Sequence, residues 1–279
     1  MIPDTPIAAP SESASLSIAE RIERLPLGTF HRRFITKISL GYWFDFYDIF
    51  SIAYIGAALQ HSGFLTPHQF SVLLASGFLG MFAGTIVFGI GSDRMGRRSA
   101  FILMLLIYSA FTLGSALAPN PAWLIVFRFF AGVGIGAENV VIDTYVTEIT
   151  PGRARGRYVA ITQVVGFTAV PVSALLSRAL VPTHFLMSGW RWVMVIGSIG
   201  ALMAWHLRRA LPESPRWLES RGRLAEAELA ILEIEGQKVG LQRHQPLRPR
   251  ANQTADPGKL RAPSINIAEL FKPPYLSRT

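Results

Sequence analysis

Long apolar segments alternate with short polar connections along most of this chain. A helix that crosses a lipid bilayer needs about 20 consecutive apolar residues, and each of these segments reaches roughly that length. The pattern therefore predicts an all-α membrane protein with six transmembrane helices. The predicted spans are 35–58, 69–91, 99–118, 122–145, 157–180 and 190–210.

Residues 1–34 form a polar leader that starts with a Ser- and Pro-rich stretch, for which we predict partial disorder. Ile18, Ile22 and Leu25 then recur at steps of three and four residues, which is the spacing of one helix face. A short helix that lies on the membrane surface would have this pattern. A solvated basic lead-in to the first span explains it equally well.

The composition changes again after the predicted bundle of residues 35–211. Residues 212–279 are polar, and we predict for them a cytoplasmic region with an amphipathic helix at about 222–235. A flexible linker over 236–263 follows, because that stretch is rich in Pro, Gln and Arg. The final residues, AELFKPPYLSRT, look like the lead-in to a seventh span.

The basic residues distinguish the two faces of the predicted bundle. The connections after spans one and three contain no Lys or Arg, whereas the leader, the connections after spans two and four, and the segment after span six are basic. By the positive-inside rule, both termini lie in the cytoplasm of an integral, multi-pass protein of the plasma (inner) membrane. Only Arg178 and Arg191, which bracket the fifth connection, oppose this assignment.

The composition narrows the possible functions. Of the 279 residues, 50% are hydrophobic and 16% are charged, and the mean hydropathy is +0.33, a balance that few soluble domains have. The net charge of +9 does not indicate nucleic acid, because the basic residues lie at the ends of apolar segments. The chain has no cysteine and shows no nucleophile–base set or metal-spaced histidines. We therefore expect no enzyme activity, no metal and no cofactor.

Arg128 is the first candidate functional residue. It follows Pro121, which opens the fourth span, by seven residues, so it lies roughly 10 Å inside one face at 1.5 Å per residue. Ionisable residues inside spans usually face the bundle interior and have a partner. Gly132 and Gly136 follow at four-residue steps and would let a neighbouring helix approach closely.

Span one offers acidic partners for this arginine. Asp48 lies roughly 16 Å and Arg128 roughly 20 Å above the same face, a match within the uncertainty of the boundaries. A paired acid that accepts a proton would release the arginine, which is the minimum machinery for proton coupling. A static ion pair that fixes helix packing is the alternative. Asp45 shares a face with Asp48 and is the alternative proton site.

The connection between spans two and three, GIGSDRMGRR, is short and carries both signs of charge. Asp93 can accept from Arg97 or cap the helix that starts near Arg98. We interpret this connection as a cytoplasmic gate rather than as membrane anchoring alone. The gate residues predicted at this face are Gly89, Asp93, Arg94, Gly96, Arg97, Arg98, Glu148, Arg155 and Arg157.

Polar residues in spans four and five are candidates for a substrate cavity. Asn139 and Asp143 share the face of Gly132 and Gly136, and Gln163 is a possible hydrogen-bond donor to a polar solute. Contacts between helices would explain these residues equally well. Pro171 is expected to kink span five.

Three stretches resemble motifs of one family. The connection after span two resembles the signature of the major facilitator superfamily. Arg128, Gly132, Gly136, Tyr145, Glu148, Pro151, Arg155 and Gly156 resemble the sugar-porter signature. The stretch PESPRWLESRGR, residues 212–223, resembles the motif after span six in the same branch.

This resemblance implies the N-terminal half of a twelve-helix carrier, with three plus three helices and alternating access. It also implies that Asp93 with Arg97, and Glu148 with Arg155 or Arg157, hold the outward-facing state. The acid-rich FDFYD of span one is closer to proton-coupled organic-acid carriers than to sugar porters. We therefore predict a proton symporter of a small polar metabolite, with a sugar transporter as the alternative.

The expected partners are the bilayer, the substrate with its proton, and a second six-helix half or a second copy. A truncated, inactive or regulatory half-transporter is a further alternative.

Overall fold

The structure, a computed structural model, describes residues 17–208 and 212–235. The first part of the predicted leader, the predicted linker and the final segment lie outside the described residues. Each element in the described ranges with a regular backbone is a helix. The helices are α1 (Ile18–Arg24), α2 (Thr29–His61), α3 (Pro67–Met95), α4 (Arg97–Ala116), α5 (Pro121–Ile149), α6 (Gly152–Phe167), α7 (Ala169–Leu180), α8 (Gly189–Arg208), α9 (Pro215–Ser220) and α10 (Leu224–Ile234).

Each predicted span coincides closely with a long helix, with α6 and α7 together forming the fifth. In the described part of the chain, four helical segments are both long and apolar enough to cross a membrane: α3, α4, α5, and α6 together with α7. Helix α2 has sufficient length, at 33 residues, but it carries Asp45 and Asp48 among its apolar residues. The fold is that of an all-α membrane protein.

Sequence signals for helix starts explain where several helices begin. Thr66 and Gln69 form a capping box at the start of α3, with Pro67 at the first turn. Asn120 caps α5 by accepting from Trp123 N at 3.1 Å, and Pro121 follows it. Proline suits these positions because its missing N–H has no helical partner there.

The long helices pack as a bundle in which α5 lies between α3 and α4, α4 also contacts α8, and α2 contacts α6, α7 and α8. One end of the bundle is where α3 passes into α4 and α5 passes into α6. We call this the basic end, because the connections there carry the arginines of the predicted gate. The other end, where α2 passes into α3 and α4 into α5, is the opposite end.

Glycines bring α3 and α5 into backbone contact. A Cβ placed on Gly132 would lie 2.3 Å from Gly77 O, and one on Gly136 would lie 2.1 Å from Met81 O. From the α3 side, a Cβ on Gly80 would lie 2.0 Å from Phe129 O. The close approach predicted for Gly132 and Gly136 is therefore present, and its partner is α3.

The fifth span is interrupted at Thr168, between α6 and α7. Pro171 lies three residues later and has no N–H to donate to a carbonyl one turn earlier. Thr168 Oγ1 accepts from Trp43 Nε1 at 3.1 Å, so α2 contacts the interruption. The break thus lies close to the proline that was expected to disturb this helix.

Helix α1 has the predicted apolar face, but this face is buried in the protein and does not lie on the membrane surface. Ile18, Ile22 and Leu25 are buried in one hydrophobic core with Leu218 of α9 and Ile231 of α10. Neither the membrane-surface helix nor the solvated lead-in describes this packing. The apolar face is covered by protein because α9 and α10 fold back onto the basic end.

Arg191, which opposed the positive-inside rule, has a structural role. Its guanidinium donates to Ala116 O at 2.6 Å and to Ala118 O at 2.8 Å, the last carbonyls of α4 and its connection. It also lies 4.5 Å from the ring centroid of Trp190. A cation is favourable at a helix C-terminus, and this contact explains an arginine at the opposite end.

Candidate functional site: a buried ion pair and the charge clusters of the basic end

The centre of the bundle contains a buried ion pair. Arg128 Nη1 of α5 lies 2.7 Å from Asp48 Oδ2 of α2. The side chains are only 5% and 3% exposed, respectively. The predicted pairing of these two residues is therefore confirmed, and both side chains are buried.

Two more carboxyl groups are buried in the same region. Asp45 on α2 and Glu138 on α5 are 1% and 0% exposed. Tyr108 of α4 interacts electrostatically with both, and also with Asp48 and Arg128. Its hydroxyl donates to Phe44 O at 3.1 Å, which holds α4 against α2 next to Asp45.

This region therefore contains three buried carboxyl groups and one guanidinium. Burying a carboxylate is costly unless it is paired or hydrogen-bonded. Asp45, predicted as the alternative proton site, belongs to this group by position.

A cavity of about 330 Å³ adjoins the ion pair. It lies between α2, α3 and α5, and Arg128 is the only charged side chain among the described residues that line it. Ile49, Leu73, Phe78 and Met81 are among its apolar walls. A small solute in this cavity would meet the guanidinium on one side and apolar surface on the others.

The predicted substrate residues do not line this cavity. Asp143 is exposed and accepts from Tyr42 OH at 3.3 Å, which links α5 to α2. Asn139 and Gln163 are half-buried, and Asn139 Oδ1 is buried without a hydrogen-bond partner in the structure. The face of Gly132 and Gly136 packs closely on α3, and Gly132 also lines the cavity.

Arg97 organises the charge cluster of the basic end. Its guanidinium lies 2.5 Å from Asp93 Oδ1 and 2.9 Å from Glu148 Oε1, and it also donates to Ser92 Oγ at 3.1 Å. The predicted contact between Asp93 and Arg97 is therefore present. The cluster ties the start of α4 to the ends of α3 and α5.

The predicted partner of Glu148 was wrong. Glu148 pairs with Arg97, whereas Arg155 of α6 pairs with Glu23 at 2.7 Å. Arg157 is exposed on the solvent side of α6. Arginines one or two residues apart point in different directions on a helix, so the sequence alone did not select the partner.

Three other predicted gate residues, Gly89, Arg94 and Arg98, lie outside the cluster around Arg97. Arg94 and Arg98 have exposed side chains. A Cβ on Gly89 would lie 3.9 Å from Val140 Cγ1, which is an ordinary contact, so its lack of a side chain is not required by space.

Glu213 makes a contact at the basic end that the sequence did not predict. Its carboxylate accepts from Arg98 N at 3.0 Å at the first turn of α4, where helix N–H groups have no helical partner. Gly96 has a φ of +93°, and a Cβ there would lie 2.5 Å from Glu213 Oε2. The segment after the sixth span thus caps α4, a role that the predicted Asp93 cap does not fill.

Two side chains of α1, Arg21 and Glu23, form ionic contacts that the sequence did not reveal. Arg21, 8% exposed, forms a bidentate pair with Glu235 at 3.1 and 2.9 Å and also pairs with Glu228 of α10. Glu23 accepts from Gly152 N at 2.7 Å and pairs with Arg155. The hydrogen bond from Gly152, together with nearby arginines, lowers the pKa of Glu23. Ser17 and Glu20 form a capping box at the start of this helix.

Comparison with known proteins places these features in a family. The sequence profile of a family described as "Sugar (and other) transporter" matches residues 34–272. The chain belongs to this family. Its motifs and its fold agree with the major facilitator superfamily resemblance found in the sequence.

Two curated relatives illustrate the level of similarity. The niacin transporter NiaP of Acinetobacter baylyi is 36% identical over 220 residues, covering 79% of this chain and 49% of the relative. A putative metabolite transport protein of Escherichia coli, YdjK, is 37% identical over 243 residues, covering 86% and 51%. The chain therefore spans about half the length of the curated relatives it matches.

Solved structures are also matched over about half of their length. The proton:xylose symporter XylE, bound to 6-bromo-6-deoxy-D-glucose, matches with a TM-score of 0.67 at 23% identity, covering 75% of this chain and 50% of XylE. A partially occluded inward-open form of XylE from E. coli also gives 0.67 at 23% identity. This similarity identifies the fold as the N-terminal half of a major facilitator protein.

Proposed function

We propose that this chain forms the N-terminal bundle of a proton-coupled carrier for a small polar metabolite such as an organic acid. The observation that carries the proposal is the buried pair of Asp48 and Arg128 beside a cavity. The carrier works by alternating access, with a second six-helix bundle opposite this one. The basic end lies in the cytoplasm, in accordance with the positive-inside rule.

The chemistry of the pair explains how a proton gradient would drive transport. While Asp48 is ionised, it neutralises the charge of Arg128, and the guanidinium binds an anionic substrate only weakly. A proton on Asp48 removes the charge partner and leaves the guanidinium able to bind an anion in the adjoining cavity. Proton and organic anion would then be bound together and released together.

The cluster around Arg97 acts as a latch between conformations in this proposal. It joins three helix ends through one guanidinium, and breaking a shielded pair leaves a charge uncompensated. We infer that the latch holds the cytoplasmic side closed and opens in the inward-facing state. The role of XylE as a proton symporter is in keeping with this cycle.

A sugar substrate is the second candidate, because the matching family profile and XylE both concern sugars. The cavity beside Arg128 has mostly apolar walls, whereas a sugar requires several hydrogen-bonding groups. A third candidate is an inactive or regulatory half-transporter. Uptake of labelled organic acids and sugars separates these alternatives.

The decisive variant is Asp48→Asn in a carrier that joins this bundle to a second six-helix bundle. We expect pH-driven accumulation of the substrate to be lost, while exchange of labelled for unlabelled substrate continues. Exchange needs no net proton movement, so it isolates the coupling step. Equal loss of both activities would show that the pair is structural and would contradict the proposal.

Two control variants sharpen this test. Asp45→Asn asks whether the neighbouring acid carries the proton instead, and it should leave accumulation measurable if Asp48 is the coupling residue. Glu226→Gln removes an acid whose pair with Arg223 is exposed on α10. Exposed pairs contribute little, so neither accumulation nor exchange should change.

A further inference from the structure

A second cavity lies at the opposite end of the bundle, away from the ion pair. It has a volume of about 460 Å³ and lies between the last turns of α2 and α7. Tyr54 and His61 line it from α2, and Ser177 and Arg178 from α7. The remaining walls are small apolar side chains of Ala, Val and Pro residues.

Each polar side chain in this cavity can donate a hydrogen bond. Arg178 carries a fixed positive charge, and the Tyr54 hydroxyl, the His61 ring and the Ser177 hydroxyl can each donate a hydrogen bond. None of the described residues that line the cavity is acidic. A cavity with this lining favours an anion.

The Ser177 hydroxyl is a buried polar group whose hydrogen bonding is not satisfied by protein atoms. Its side chain is buried, with 3% exposure, and its Oγ has no hydrogen-bond partner in the structure. Buried hydroxyl groups nearly always have a partner. A ligand in the cavity that Ser177 lines would supply one.

Arg178 also lacks the structural explanation that accounts for Arg191. Both arginines oppose the positive-inside rule, but Arg191 caps the carbonyls that end α4. Arg178 lies in the last turn of α7, where the helix dipole favours a cation. Its side chain is exposed, and within the described residues it makes no hydrogen bond or ion pair.

We propose that the cavity of Tyr54, His61, Ser177 and Arg178 is a binding site for a small organic anion with an apolar body. The guanidinium pairs with the carboxylate, Ser177 and Tyr54 donate to its oxygens, and the apolar walls cover the rest. In the proposed orientation this site lies at the outer mouth. As a loading site for the carrier it rests on the proposed function, whereas anion binding itself does not.

The test uses the 279-residue chain in lipid nanodiscs, with benzoate as the probe in isothermal titration calorimetry. Empty nanodiscs correct for partitioning into lipid. We expect Arg178→Gln to bind benzoate about fivefold or more weakly, because a charge-assisted hydrogen bond is lost. Arg178→Lys should retain most of the affinity. Arg33→Gln, which removes an exposed arginine near the start of α2 at the basic end, should bind like the unchanged chain.

Benzamide and inorganic phosphate complete the test. Benzamide has the same ring without the charge and should bind much more weakly than benzoate. Equal binding of benzamide, or unchanged benzoate affinity in Arg178→Gln, would overturn the anion site. Phosphate that competes as strongly as benzoate would overturn the assignment to an organic anion. Neither Asp48 nor Arg128 lines this cavity, so failure of proton coupling leaves this result unaffected.

Discussion

Single residues determine how closely the helices of this bundle approach one another. Gly132 of α5 lies against the backbone of α3 at Gly77, yet the two glycines are not equivalent. A Cβ on Gly132 would meet Gly77 O at 2.3 Å, whereas a Cβ on Gly77 would have no atom within 4 Å. The contact between Gly132 and Gly77 therefore depends on the absence of a side chain at Gly132 but not at Gly77.

This difference gives a matched pair of substitutions. Gly132→Ala should destabilise the bundle by about 1–3 kcal/mol, because the added carbon forces α3 and α5 apart. Gly77→Ala should be neutral or slightly stabilising, since alanine is the better helix former by about 1 kcal/mol. Thermal unfolding in detergent, followed by circular dichroism, measures both. Equal melting temperatures for the two variants would contradict the close approach.

The short helices α1, α9 and α10 pack against one another and share one hydrophobic core. We call them the brace. Arg21 connects α1 to Glu228 and Glu235 of α10, while Glu23 connects α1 to the start of α6. Because α1 leads directly into α2, a movement of the brace would be transmitted to the helix that carries Asp48. The brace thus supports the basic end.

Removing Arg21 tests the brace. Arg21→Met should lower stability by about 1–3 kcal/mol, because hydrogen bonds to charged groups are lost and two carboxylates remain. Arg223→Met is the matched control, since its pair with Glu226 has side chains 48% and 53% exposed. Such exposed pairs contribute about 0–1 kcal/mol. A larger effect of Arg223→Met than of Arg21→Met, in thermal unfolding, would refute the brace.

The contacts of Glu23 predict a pH dependence for α1. The backbone donor Gly152 and the neighbouring arginines lower the pKa of Glu23 in the folded chain. Its contacts therefore contribute stability above the unfolded pKa, about 4.3, and this contribution is lost as the pH falls through the lowered folded pKa. The brace should loosen only on the acidic side of pH 4.3.

A single fluorescent label can follow this loosening, because the chain contains no cysteine. Ala19→Cys places the label on the exposed side of α1, and its anisotropy should fall in acid as α1 is released. In the additional variant Glu23→Gln, the anisotropy should be lower already at neutral pH and should not show the acid step. An unchanged acid step in that variant would assign the titration to another group.

At the scale of the whole molecule, the described helices expose large apolar side chains, whereas Asp48 and Arg128 are buried. Phe78, Phe82 and Leu175 are exposed by 61%, 67% and 67%, respectively, on α3 and α7. Faces of this kind suit lipid or a second bundle. The substrate site of a facilitator lies between two halves, and this chain matches only half the length of its relatives.

We therefore expect that residues 1–279 alone do not transport. In one bundle, alternating access has no second body against which the helices could move. Reconstitution into liposomes with an imposed pH gradient should give no saturable uptake of labelled organic acids. Saturable, pH-driven uptake would overturn this expectation and would favour a dimer of two such bundles.

The sequence by itself determined the helices and one buried pair. Bilayer thickness requires about 20 apolar residues per span, so the lengths of the apolar segments located the helices closely. Asp48 and Arg128 are charges at matched depth in an apolar interior, where an arginine is expected to have an acidic partner. Their matched depth made the pairing predictable.

Only the tertiary structure decided the partners at the basic end. Many acids and arginines lie there at similar depth, so sequence spacing could not assign Glu148 to Arg97 or Arg155 to Glu23. The amphipathic pattern of α1 revealed a helix, but it did not reveal which surface packs on its apolar face. Lipid and the apolar faces of α9 and α10 would both suit it. Which surface buries such a face depends on how the chain folds back, and this is decided by contacts between residues far apart in the sequence.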